Sequence, residues 1–466
     1  MAASGYAQPA DPPAASAAPP AAPAPATPPA TPAPAAPPAT PAPATPAPAV
    51  PASPPAAEGP TAPTAPPAAH PVPDEPTGPV DDDGGSSFRV PRLQIHGFAS
   101  EGGFVSTAND YIGLSSRGSL ALFEAGINVS TEVSDRLCVG IQLYGRDYGF
   151  YRDLPPRLDW AFLDYRYKPW LGLRAGVIKM PYGLYNEYAD IDSSRTSVLL
   201  PQSVYPVRNR SALLAHTGFA IYGNRAIGEA GALEYQAWLG TLAIPENALV
   251  LAGATLDSVD AKYVTGAQLF WRPPIDGLRV GATFIRNSID FQLTLSPANI
   301  EALIMAGVVP ADFQGDLRIS QRPNTWWIGS VEYTRGDWLF AGEYSRTYNR
   351  QVSSLPAVLP TTHEDTERFY AMVTRRFSPQ IELGAYYSHL YKDPSDRGGH
   401  DMTKFAKRFY AFQRDAAATL RYDVTEQWLW KLEAHFIDGA ADLDGTRNPD
   451  PTRYWGLFLL KTTVTF

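Results

Sequence analysis

From residue 89 onward the chain falls into short runs of alternating apolar and polar residues, and the connections between them alternate in length. Sixteen runs are legible: Leu93–Val105, Ser119–Val133, Leu137–Tyr148, Leu158–Tyr167, Leu171–Tyr182, Gly218–Gly223, Ala232–Thr241, Tyr263–Trp271, Leu278–Phe291, Thr325–Thr334, Trp338–Arg350, Arg368–Phe377, Ile381–Tyr391, Phe409–Val424, Gln427–Ile437 and Tyr454–Phe466. Tight turns fall at 134–136, 168–170, 226–229, 273–277, 335–337, 378–380 and 425–426. Between them lie longer connections at 106–118, 149–157, 183–217, 242–262, 292–324, 351–367, 392–408 and 438–453. A period of two is that of a strand with different surroundings on its two faces. A soluble sandwich has no reason to sort its connections by parity. A barrel with short turns on one rim and long loops on the other does, and an even strand number is what single-chain bacterial barrels require. The expected fold is all-β: a sixteen-stranded antiparallel transmembrane β-barrel spanning 89–466.

The last run fits the same expectation. Counting back in twos, Phe466, Val464, Thr462, Leu460, Phe458, Gly456 and Tyr454 form an apolar row interrupted by one threonine. The opposite row, Thr465, Thr463, Lys461, Leu459 and Leu457, is polar at its C-terminal end. A soluble edge strand ending this way invites aggregation, whereas a closed barrel in lipid has no edge and an apolar exterior. Other runs sort similarly. Ala125, Ile127 and Val129 are expected to face lipid, opposite Glu124, Asn128 and Ser130. Trp428, Trp430, Leu432, Ala434 and Phe436 oppose Lys431, Glu433 and His435. If Asp164 and Arg166 point inward, so do Trp160 and Phe162, an unusual choice for a watery channel.

Composition separates the N-terminal segment from the rest. Of 47 prolines, 28 precede residue 81, and no Lys or Arg precedes Arg89. Residues 1–88 are therefore expected to be a disordered Pro/Ala-rich linker, too poor in apolar bulk to offset ordering entropy. With the first strand rising from the short-turn side, this tail is placed in the periplasm. It serves there as a spacer, or as a tether to peptidoglycan or a periplasmic protein. The overall formal charge is −9, and removing the seven N-terminal acids leaves 38 bases against 40 acids. A body so nearly neutral is not built for nucleic acid. No apolar run reaches the roughly 18–20 residues of a membrane-spanning helix, which leaves a barrel open.

The run Arg174-x-Gly176-x-x-Lys179-x-Pro181-Tyr182-Gly183 resembles the R-x-G-x-x-K-x-P-F/Y-G/S element of the phosphate-selective porin O/P superfamily. Ile95-His96-Gly97-Phe98 and Trp160-Ala161-Phe162-Leu163-Asp164-Tyr165 are similar to it as well, so the likeness covers roughly 92–466. The resemblance implies a bacterial outer-membrane porin, usually a homotrimer in lipid, with its third long loop folded inward as a constriction. The terminal Phe466 resembles the assembly signal of such porins. Mapped onto this chain, the constricting loop is about 183–216, with Glu187, Asp190, Asp192, Arg195, Arg208 and Arg210 as its charges, which either face the solute or pair with one another and hold the loop down. Glu124, Arg146, Asp164, Arg166, Arg174 and Lys179 are the matching wall charges, although Lys179 shares the parity of outward Val177 and needs a bulge or a position above the lipid. Three acids against three arginines depart from the Lys-rich constriction of phosphate porins. Mixed signs suit general small hydrophilic solutes, which a narrow, poorly screened passage orients by its field.

Enzyme signatures are absent from the sequence. His363-Glu364-Asp365 lacks the second histidine of a zinc motif, and the single Cys138 forms neither a thiolate cluster nor an internal disulfide. No metal or cofactor is expected. The reading is a passive porin, with an outer-membrane anchor for the tail as the alternative.

Overall fold

The computed structural model describes residues 93–244 and 253–466. The expected linker at 1–88 lies outside the described residues. Sixteen strands form one closed antiparallel barrel in which each strand pairs with its sequence neighbours and the last pairs with the first. They are β1 Leu93–Ser106, β2 Phe123–Ser134, β3 Leu137–Tyr148, β4 Tyr151–Lys168, β5 Leu171–Lys179, β6 Ala215–Ala226, β7 Ala232–Thr241 and β8 Ala254–Arg272. The second half comprises β9 Leu278–Leu295, β10 Asp316–Arg335, β11 Trp338–Ser353, β12 Thr362–Arg376, β13 Ile381–Tyr391, β14 Phe412–Asp423, β15 Trp428–Gly439 and β16 Tyr454–Thr465. Closure runs from Phe98 opposite Thr465 to Ser106 opposite Leu457. Below that ladder Gly97 and Phe466 exchange two backbone hydrogen bonds of 3.0 Å. No strand edge is left for another chain to pair with.

The two faces of β16 divide as the alternation requires. Tyr454, Phe458, Leu460, Val464 and Phe466 lie on the outer surface, while Leu457, Leu459, Lys461 and Thr463 are buried inside. The neighbouring β15 exposes Leu432 and Phe436 and buries Lys431, Glu433 and His435. The inner face is thus not bathed in water. Loop segments pack against it and cover even its lysines.

One expected long loop is absent. Residues 149–157 are expected to be a long loop, yet β3 and β4 are joined by Gly149 and Phe150 alone. The ladder absorbs Pro155 and Pro156 through register shifts between Gln142/Leu143 and Tyr144/Arg146. Proline lacks an N–H and is tolerated in a sheet at such irregularities. Elsewhere the strands outrun their apolar stretches. β8 begins at Ala254 and β10 at Asp316, well before the first regular alternation in either run. Backbone pairing does not need an apolar outer face, so charged residues end a greasy stripe without ending a ladder.

In this upper part of the wall the polarity of the faces inverts. Ile289, Phe291, Leu293, Leu317 and Ile319 are buried inside against Ile300 and Leu303 of the helix Pro297–Met305. On the outer face Asp290 gathers Arg318 and Arg322, with Lys262 at 3.9 Å.

Candidate solute pathway

The long segment after β5 leaves the wall and crosses the barrel interior. Its departure is prepared by Gly176, whose φ of 129° few side chains adopt and where a Cβ would stand 2.2 Å from the Ala161 carbonyl. Beyond this glycine Lys179 turns inward, meeting the geometric need raised by its parity. Its Nζ donates to the Glu187 carbonyl at 2.9 Å and reaches Asp190 Oδ1 at 2.5 Å. Gly183 (φ 62°) makes the next turn, close against Tyr205 and Glu343.

Residues 180–214 are then pinned from several sides. On β11, Glu343 accepts from the Leu184 N–H at 2.9 Å, from Ser330 Oγ at 2.6 Å, from Tyr370 Oη at 2.8 Å and from Tyr205 Oη. On the opposite wall, Glu433 accepts from the backbone N–H of Val198 at 2.5 Å and of Leu199 at 3.3 Å. Lys431 Nζ donates to the carbonyls of Asp192 at 2.6 Å and Ser197 at 3.1 Å. Thr196 bonds Glu382 on β13, and Ser203 Oγ donates to the Phe369 carbonyl on β12 at 3.0 Å. With further bonds to Gln142, Asp159, Gln236, Gln268 and Arg421, the segment touches β3, β4, β5, β7, β8 and the arc from β11 to β16.

Most of the charges expected in the constriction make these attachments. Asp192 lies between Lys431, Lys461 and Arg195 at 3.1, 3.1 and 3.3 Å, and accepts from Thr463 Oγ1 at 2.7 Å. Burial alone would push its carboxyl up, but these three cations and the hydroxyl hold it far below the usual carboxylate range. Asp190 is buried too, and Lys179 and Arg210 hold it low in the same way. Arg195 also donates to the Ala189 carbonyl at 2.8 Å. Arg208 pairs with Asp442 at 2.7 Å. Arg210 pairs with Asp159 at 3.2 Å and stacks 3.8 Å from the Tyr144 ring centre. The Glu187 carboxylate accepts from Gln236 Nε2 at 3.2 Å.

The wall residues are placed alongside. Glu124 accepts from Tyr144 Oη at 2.7 Å and bonds Lys461. Arg146 donates to Asp153 at 2.8 Å and to the Val207 carbonyl at 3.1 Å. Asp164 accepts a forked pair of bonds from Arg174 at 2.8 and 2.9 Å, while Arg166 sits half-buried nearby. The inward aromatic pair has a purpose here. Trp160 stacks on Phe162 at 5.2 Å, and the Arg174 guanidinium lies over Phe162 at 5.0 Å and Tyr222 at 4.9 Å. These rings shield the buried Arg174–Asp164 pair from water.

Sequence reasoning did not single out Glu343, Glu382 or Asp159 as partners of the loop. Their inward parity was the available signal. What they would face was not visible, because the loop that meets them is up to 186 positions away.

One recess remains beside the loop. It has a volume of about 160 Å³ and lies between Tyr182, Asn209 and Leu213 of the loop and the inner faces of β10, β11 and β12. A smaller space of about 60 Å³ lies on the other side, among Glu124, Tyr144, Arg146, Arg195 and Arg210. Among the described residues no cluster of three potential metal ligands occurs.

The chain matches no family model and no curated relative. Its architecture does match solved structures. An anion-selective porin from Comamonas acidovorans superposes with a TM-score of 0.51 at 8% identity, over 81% of this chain and 100% of that one. OmpF of Salmonella typhi gives a TM-score of 0.49 at 13% identity, over 80% and 97%. The outer-membrane channel DcaP of Acinetobacter baumannii gives 0.48 at 12%, over 81% and 97%. At 8% identity the likeness to the anion-selective porin is one of fold, and the fold of this chain is porin-like: a closed sixteen-stranded antiparallel barrel.

Proposed function

We propose that this protein is a passive channel of the bacterial outer membrane for small hydrophilic solutes or ions. The observation that supports it best is the sorting of side chains across a closed wall, apolar outside and charged inside, with residues 180–214 crossing the interior. Lipid requires that sorting, because a barrel satisfies every backbone group within itself. In this reading the loop narrows the passage. Its own charges are largely committed to holding it in place, and the solute passes the remaining recess against β10–β12.

The finer likeness to phosphate-selective porins rests chiefly on the Arg174–Gly183 element, with Ile95–Phe98 and Trp160–Tyr165 beside it. Arg174 and Lys179, its two cations, are engaged by Asp164 and Asp190. General selectivity is therefore the preferred form of the proposal. Trimeric assembly and a periplasmic position for residues 1–88, as a spacer or an envelope tether, are part of the same proposal.

The test is single-channel recording of the full-length protein in a planar bilayer under a KCl gradient, with residues 89–466 recorded in parallel. Stepwise openings of weak ion selectivity in both forms support a general porin. A complete lack of conductance in both removes the channel reading and leaves the barrel as an anchor.

A further inference from the structure

The recess beside the loop carries unused bonding capacity. The buried Asn324 Oδ1, Trp326 Nε1, Asn349 Oδ1, Thr366 Oγ1 and Arg368 Nε lack protein partners, and all five residues line it. They stand in neighbouring cross-strand rows on three adjacent strands: Asn324 with Asn349 and Glu364, Trp326 with Thr347 and Thr366, and Arg368 one step further on, opposite Ser345. Asn287, opposite Asn324 on β9, extends the first of these rows with both amide atoms unpartnered. Buried polar groups are rarely left so, and several around one cavity call for a polar occupant. The volume of about 160 Å³ holds on the order of ten waters, which is the bulk of a single sugar ring.

The chemistry of the lining discriminates among occupants. An oxyanion accepts only, and a site for it would present donors throughout. Here two amides and a hydroxyl offer acceptors beside their donors, and Arg368 is balanced by Glu364 on the same lining. Hydroxyl groups, each both donor and acceptor, satisfy such a mixed row. The apolar side of the recess is aromatic, with Tyr182 set edge-on to Trp326 at 5.9 Å and 81°. A flat apolar surface next to a few placed polar groups is how small-molecule sites fix an amphipathic ring.

We propose that this recess is a binding site for a neutral polyhydroxylated solute of monosaccharide size, a subsite on the route of the proposed channel, on which reading it rests. The ring lies against Trp326 while Asn324, Asn349, Thr366 and Arg368 bond its hydroxyls.

The test uses the full-length protein, read in two ways. Glucose, glycine and inorganic phosphate are added separately to an open channel in a bilayer, and glucose is titrated calorimetrically into the detergent-solubilised barrel. Trp326→Ala and Asn349→Ala are measured beside the parent, with the heat-dependent gel mobility of each barrel as a check that it has folded. The expected result is current block by glucose, weakened at least tenfold in both variants, with little block by phosphate or glycine. Block by phosphate alone, or glucose block unchanged in folded variants, overturns the sugar site. Failure of conductance with a retained, Trp326-dependent calorimetric signal removes the channel reading and keeps the site. Absence of both signals overturns the site.

Discussion

Asp192, in the segment that crosses the barrel, lies 3.1 Å from Lys461 of the closing strand, and both side chains are fully shielded from solvent. The two residues are 269 positions apart. Lys461 also bonds Glu124 on β2, so one cation ties the crossing segment to both sides of the barrel seam.

Replacing Asp192 with Ala leaves Lys431 and Lys461 buried with one counter-charge fewer. Removal of one partner from such a cluster typically costs about 3–5 kcal/mol. The expected outcome is a lower unfolding temperature of the detergent-solubilised barrel and noisier single-channel currents from a loosened segment. Asp192→Asn should restore part of the stability, because the Thr463 hydroxyl keeps an oxygen acceptor.

Attachment of the crossing segment is expected to survive acid. Asp190 and Asp192 both have carboxyls held below their ordinary value of 3.8 by neighbouring cations. A carboxylate with a depressed folded-state pKa contributes stability above its unfolded value, and loses it as pH falls through the lower folded one. The vulnerable window therefore lies below about pH 3.8 for both. The difference in current noise between the parent and Asp192→Asn should hold steady between about pH 7 and pH 4, because neither carboxylate titrates there. A transition centred near pH 5 would contradict the assignment.

Leu432 tests the outer face. It is half exposed on the barrel surface and paired with Leu460 on the next strand. In lipid, Leu432→Arg is expected to cost about 2–4 kcal/mol near the midplane, read as a shift in the urea midpoint of refolding into vesicles. The same substitution in a water-exposed wall would be nearly neutral.

Gly277 tests the turn between β8 and β9. Its φ is 79°, and a Cβ would stand 1.8 Å from the Thr334 carbonyl, to which side-chain rotation gives no relief. Gly277→Ala is expected to cost at least the roughly 1–2 kcal/mol of a left-handed residue, with slower refolding into vesicles. Gly336→Ala, also at positive φ but with open space around it, should show only the conformational part.

Phe466 extends the closing ladder at the seam by one more pair. Its backbone exchanges two hydrogen bonds with Gly97, and its ring fills the space above that glycine. Deleting Phe466, or Gly97→Val, which displaces the ring, should each lower the yield of folded barrel in refolding and in cells. A G97V variant that assembles like the parent while the deletion fails would assign the loss to recognition of the terminus and not to closure.

Sequence alone determined the wall. The period of two, the tight turns and the apolar row ending at Phe466 are local properties, and a strand in a barrel meets the same pair of environments wherever it sits. Runs such as Leu137–Tyr148, Ala232–Thr241 and Ile381–Tyr391 therefore coincide with strands. The loop expected at 149–157 is strand for most of its length, where a register shift admits Pro155 and Pro156, which a regular ladder rejects. The interior was decided only in three dimensions. Glu343, Glu433 and Lys461 announce themselves in sequence merely as inward charges. Whether each meets water, a solute or a loop depends on where residues 180–214 come to rest. That position depends on contacts across as many as 271 positions, such as Tyr205–Glu343 and Asp192–Thr463, which no local pattern encodes. From the sequence the loop's own charges read equally as the face shown to a solute or as a network that holds the loop down. Folding turned most of them toward the wall, because a buried charge is tolerable only beside its partner.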